Sequence, residues 1–104
     1  MGLSFASIQD EHGPAIYISG DGTAQTENRL MRLGEEVDKL TSSDTQIVYL
    51  DPTRGDGLRV KEFYALTVFP ALIIIMDDDT LYQKWEGYMP RPDQVSYAIS
   101  QAGG

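Results

Sequence analysis

The 104-residue chain contains no cysteine. That excludes disulfides, thiolate-bound metals, iron–sulfur clusters held by this chain alone, and any cysteine nucleophile. Positive charge is scarce too: eight Lys and Arg stand against sixteen Asp and Glu, a net charge of −8. Such a surface repels nucleic acid and anionic lipid, so neither is an expected partner. Histidine and tryptophan occur once each, at His12 and Trp85. No apolar run approaches the roughly 18 residues of a membrane span. No basic-then-apolar leader is visible at the N-terminus, and the expected compartment is the cytoplasm.

What is present suffices for one compact domain over 1–104, with 41% hydrophobic residues and ten aromatics. The most informative stretch is Val68-Phe69-Pro70-Ala71-Leu72-Ile73-Ile74-Ile75-Met76. Proline cannot donate to a β-ladder, so in a sheet it belongs at an edge, a bulge or a strand's first position. The run after it is too apolar for a half-solvated strand and reads as one buried on both faces. Local sequence favours a trans Phe69–Pro70 bond, because cis occurs in only about 5–6% of X-Pro bonds.

Residues 1–13 read either as a short helix capped by Ser4, with Phe5 and Ile8 inward, or as an edge strand. After Gly13-Pro14, Ala15–Ser19 reads as a buried strand. From Thr23 or Thr26 to Leu40 the pattern is helical, with Leu30, Leu33, Val37 and Leu40 on the apolar stripe. Thr23 suits the N-cap, and Gly34 implies a bend or close packing. Gln46–Asp51 is a second buried strand, Leu58–Ala65 a short helix, and Pro70–Met76 the proline-led strand. Asp77–Asp79 makes a turn, Thr80–Glu86 returns as a strand, and Gly87 stops it. Pro92 opens a last helix that buries Val95, Ala98, Ile99 and Ala102. The order β-α-β-α-β-β-α predicts an α/β fold, a mixed sheet of about four core strands with helices on both faces.

This order, with a proline heading the third core strand and Gly87 after the last, resembles the thioredoxin-like fold family from Pro14 onward. Within that family the proline is cis, so the resemblance implies a cis Phe69–Pro70 bond. It also places the redox motif just after the first strand, where Thr23-Ala24-Gln25-Thr26 stands in place of Cys-x-x-Cys. Tyr17 replaces the family's buried acid, Gly22 the tryptophan before the first cysteine, and Met31 lies near the usual helix proline. Disulfide exchange needs an activated thiolate, which a threonine hydroxyl cannot supply. The expectation is a redox-inactive member: no thiol–disulfide oxidoreductase activity, no catalytic residue, no cofactor.

Two functions follow from the resemblance. The first is a protein- or peptide-binding, chaperone-like module. In the family, the backbone just before the cis-proline pairs with an extended partner chain. The matching residues are Phe69 and Pro70, with Gly22, Gly87 and Tyr88 beside them. Phe69, Tyr88 and Met89 either form an apolar patch there or fold under. The second is a glutathione-type binder or enzyme, in which Thr23 or Thr26 holds a sulfur at the helix N-terminus and Arg29, Arg54 or Arg91 holds a carboxylate. Capping is the simpler use of both threonines. Asp77-Asp78-Asp79, with Asp51 and Asp56, lacks the alternate-ligand spacing and glycine of a calcium loop and reads as a solvated turn. His12 reads as a surface residue and Trp85 as packing. No metal site is expected.

Overall fold

The computed structural model describes residues 14–41, 46–76 and 78–103. The readings for residues 1–13, including His12, and for Asp77 lie outside them. The elements are β1 (Ala15–Ser19), α1 (Ala24–Leu40), β2 (Gln46–Leu50), α2 (Gly55–Phe63), β3 (Ala71–Ile75), β4 (Leu81–Glu86) and α3 (Pro92–Gly103). The strands form one sheet in the order β2-β1-β3-β4. β1 runs parallel to β2 and antiparallel to β3, and β3 and β4 form an antiparallel hairpin. This is the expected mixed α/β sheet.

β1 and β3 are buried at every position because they are the two inner strands and both their faces are covered. On one face, Ile16, Ile18, Leu72, Ile74 and Trp85 pack with Leu30, Leu33 and Val37 of α1 and with Val95 and Ile99 of α3. On the other, Ala15, Tyr17, Ala71, Ile73 and Ile75 pack with Val60 of α2, Tyr64 and Leu66. Helices therefore cover both faces, and Trp85 is a packing residue.

Four local expectations need correction. β2 is only half-buried, and Tyr49 on it is 48% exposed. The strand lies at the sheet edge among the described residues, with Tyr49 laid over Gly34 of α1. Leu40 is 56% exposed. It lies only about 20° around the helix from the buried Leu33, so its exposure comes from its place as the last residue of α1. α2 begins at Gly55 rather than Leu58, and Phe63 points outward while Val60 and Tyr64 fill the core. Finally, the β3–β4 register shifts between Ile74 and Ile75, which pair with Gln83 and Leu81 and leave Tyr82 as an extra residue. This bulge turns Leu81 to the α2 face, although strict alternation would set it with Trp85.

Candidate functional site at one end of the sheet

Strand direction and register gather the sequence-predicted residues. Ser19 lies between Leu50 and Ala71, and Ala71 lies opposite Glu86. The residues just beyond these ends, Asp51, Gly20, Pro70 and Gly87, therefore form a row across one end of the sheet. The Phe69–Pro70 peptide is cis, as the resemblance implied. Gly87 has φ +83° and donates its amide to the Pro70 carbonyl at 2.9 Å, which ties the end of β4 to the proline. A Cβ at Gly87 would also press on Val68, so glycine is required there twice over.

The loop before the proline is held by a residue that sequence reasoning did not single out. Glu86 accepts the backbone amides of Thr67 (2.9 Å) and Val68 (3.3 Å), and its other oxygen meets Lys84 at 3.2 Å. Those amides, the Thr67 amide first, hold its carboxyl below the usual range. Next along the chain, the Phe69 main chain has no hydrogen-bond partner among the described residues. The Phe69 ring is half-buried against the α2-side core, and Met89 packs on the opposite core. The exposed apolar groups here are Val68 (51%) and Tyr88 (57%). The patch thus consists of Val68 and Tyr88, with Phe69 and Met89 mostly folded under.

At the start of α1, Thr23 is the N-cap, its hydroxyl oxygen accepting from the Thr26 amide at 3.3 Å. Both threonine hydroxyls donate to Asp21, Thr23 to Oδ1 at 2.8 Å and Thr26 to Oδ2 at 3.0 Å. The Thr23 amide also donates to Oδ1 at 3.0 Å and is the chief cause of a lowered Asp21 carboxyl. An anion thus already sits where a helix N-terminus would attract one, and it comes from the chain itself. Ala24 and Gln25, between the threonines, are exposed. Gly22 (φ +91°) makes the turn that brings Asp21 back to the helix. Tyr17, in place of the family's acid, is fully buried, and burial followed by the Asp79 and Asp56 charges pushes its phenol up to about 12.

The Asp-x-Thr device recurs. Asp51 accepts the Thr53 amide (2.9 Å) and hydroxyl (2.6 Å), and Asp78 accepts the Thr80 amide (3.0 Å). Asp51 and Asp78 are both lowered, with the threonine hydroxyl as the first cause. These aspartates are turn-makers, and no group of acidic or histidine ligands able to hold a metal is found among the described residues. The written signal was there: Asp21-Gly22-Thr23, Asp51-Pro52-Thr53 and Asp78-Asp79-Thr80. Arg54 pairs with Asp51 (3.2 Å) and Arg91 with Asp93 (3.4 Å), so neither is directed to Thr23 or Thr26. Among the described residues no helix is long and apolar enough to cross a membrane.

Comparison with solved structures gives the same fold: the chain has the thioredoxin-like fold. An uncharacterized thioredoxin-like protein from Clostridium perfringens superposes with a TM-score of 0.76 at 15% identity, over 89% of this chain and 73% of that one. Chloroplastic thioredoxin z gives 0.70 at 18% identity, over 93% and 84%. Thioredoxin O2 from Arabidopsis thaliana gives 0.70 at 10% identity, over 96% and 84%. No protein-family model and no curated protein matches the sequence.

Proposed function

We propose that this chain is a redox-inactive thioredoxin-fold protein that binds an extended segment of another protein, in a chaperone-like manner, through the groove beside Pro70. The observation that carries this reading is the Phe69 main chain. Its N–H and C=O have no partner among the described residues, while Glu86 on one side and the Gly87–Pro70 bond on the other hold the flanking backbone in place. Unpaired backbone groups on a fixed frame suit strand addition, in which main-chain bonds give affinity and side-chain contacts give selectivity. Val68 and Tyr88 supply the apolar contacts, and Gly22 leaves the approach open. Neither threonine hydroxyl retains a proton for a thiolate, and the Asp21 charge opposes one, so the glutathione-type reading lacks support.

The test uses peptides selected by display on the intact protein, followed by backbone amide spectra of the complex. Shifts at 20–26, 67–71 and 87–89, with binding lost when the peptide's paired residue is N-methylated, are the expected result. Binding indifferent to N-methylation, or shifts elsewhere, would overturn the reading.

A further inference from the structure

The first half of α1 and the ends of β1 and β2 enclose an open cleft of about 500 Å³, within the span of small-molecule sites. It lies on the β2 side of Gly20, away from Val68 and Tyr88. Ile18 and Leu30 give it an apolar floor, Leu50 and Pro52 line its end, and Met31 and Tyr49 border it. Both bordering side chains are about half exposed, at 54% and 48%. Large apolar groups are thus turned to water around a concavity, which is the usual appearance of a site without its ligand.

The charged part of the lining is acidic. Glu27 and Asp51 contribute to it, and no basic side chain does among the described residues. Asp51 is partly engaged by Thr53 and Arg54. Glu27 has no ion-pair partner among the described residues, and its stem packs over Gly20, Cγ lying 3.6 Å from where a Cβ there would be. Negative potential continues up the wall. After burial, Glu35 and then Asp38 raise the Tyr49 phenol, and Asp21 sits at the nearby helix start. An anion would meet the uncompensated Glu27 carboxylate here, and a neutral ligand would leave its charge unanswered. A wholly apolar ligand would leave Glu27 partly desolvated and unpaired.

We infer that this cleft binds a cationic head carried on a hydrocarbon stem, the stem lying on the floor between Met31 and Tyr49 and the ammonium or guanidinium resting against Glu27 and Asp51. Two sources supply that chemistry: a free organic amine, or a lysine or arginine side chain of a bound chain. Gly20 borders the groove beside Pro70 as well as this cleft. In the second case the cleft is therefore a side-chain pocket of the peptide surface proposed above. In the first case it stands without that reading.

Amide spectra of the full chain, titrated with n-hexylammonium and separately with n-hexanoate, test the proposal. The expected result is saturable shifts from the ammonium at Gly20, Gly22, Glu27, Met31 and Asp51, with the carboxylate of equal stem length binding far more weakly. Glu27→Gln should weaken the ammonium by roughly fivefold, the upper end for an exposed ion pair, and Glu27→Lys by more. Both changes lie on an exposed helix face, and the amide spectrum reports whether the fold is kept. Capped peptides carrying lysine or norleucine at one position then separate the sources. Tighter binding of the lysine peptide assigns the cleft to a partner's side chain, and binding of hexylammonium alone assigns it to a free amine. Equal binding of hexanoate, shifts outside the cleft, or no saturable shift from either the ammonium or the lysine peptide would overturn the proposal. Failure of the strand-pairing reading is seen separately, as indifference to peptide N-methylation.

Discussion

Glu86, the last residue of β4, accepts the amide of Thr67, nineteen positions earlier, at 2.9 Å. One carboxylate thereby couples the hairpin to the loop that presents Phe69, and its backbone partners lower its pKa. Glu86→Gln keeps the shape and loses the charge. We expect about 1.5 kcal/mol of lost stability by urea unfolding, the low end for a charged hydrogen bond because the side chain is partly exposed. Peptide affinity at the groove should fall further than that loss of stability explains.

The pH dependence follows from the same bonds. Glu86, Asp21, Asp51 and Asp78 all have lowered carboxyls in the folded chain. A depressed folded pKa adds stability that is present above the unfolded value, about 4 for these side chains, and is lost as pH falls through the folded value. Thermal unfolding midpoints should hold steady from neutrality to about pH 5 and decline below about pH 4. Glu86→Gln should flatten part of that decline.

At alkaline pH the sign reverses. Tyr17 is pushed up to about 12 and Tyr64 is raised by burial and then by Asp79, so both stay protonated where unfolded tyrosines ionise. Stability from these raised groups is full below about pH 10 and is lost as pH climbs through the folded values. Phenolate absorbance of the native protein should therefore show Tyr17 and Tyr64 silent at pH 10, appearing only with unfolding. Tyr17→Phe should remove one of the late-appearing groups.

Asp21 at the start of α1 makes a prediction about thiols. The double substitution Thr23→Cys with Thr26→Cys restores the spacing of a redox pair but leaves Asp21 beside it. The thiol pKa should stay near or above the ordinary value of about 8.5, rather than dropping as at an uncompensated helix N-terminus. Adding Asp21→Ala should lower it. A low thiol pKa with Asp21 still in place would show that the carboxylate does not fill the anion position.

Two buried glycines should respond differently to alanine. A Cβ at Gly57 would meet the Asp51 backbone, which cannot move without shifting the end of β2. At Gly34 it would meet the Tyr49 hydroxyl, the free end of a half-exposed side chain. Gly57→Ala should cost about 2 kcal/mol or more. Gly34→Ala should be close to neutral, since the gain in helix propensity of about 1 kcal/mol offsets the displaced ring. Chemical denaturation of both variants measures the contrast.

These contrasts show what the sequence could and could not convey. The cap at Thr23, the stripe through Leu30, Leu33 and Val37, and the doubly buried strand after Pro70 are local or periodic signals, and the structure carries each of them. The exposure of Tyr49 and the facing of Leu81 are not written locally, because each depends on a neighbour far along the chain: Gly34 for one, a shifted register with β3 for the other. The candidate site is legible in its backbone landmarks, Gly22, Pro70 and Gly87. The two carboxylates that organise its backbone are harder to read. Asp21 had its sign in the thrice-repeated Asp-x-Thr, whereas Glu86 reaches across nineteen residues, and nothing near it in the sequence points to Thr67.

The central pair, β1 and β3, is buried on both faces and ends in the loops that carry Gly20 and Pro70. In native-state hydrogen exchange such a pair should open only with the whole molecule. The proposed groove would therefore be attached to the slowest-opening part of the chain, and a partner would meet a surface already in shape. Binding should then leave local exchange in β1 and β3 limited by global unfolding while raising the melting temperature of the whole domain with partner concentration. Recognition and fold would rise and fall as one cooperative unit.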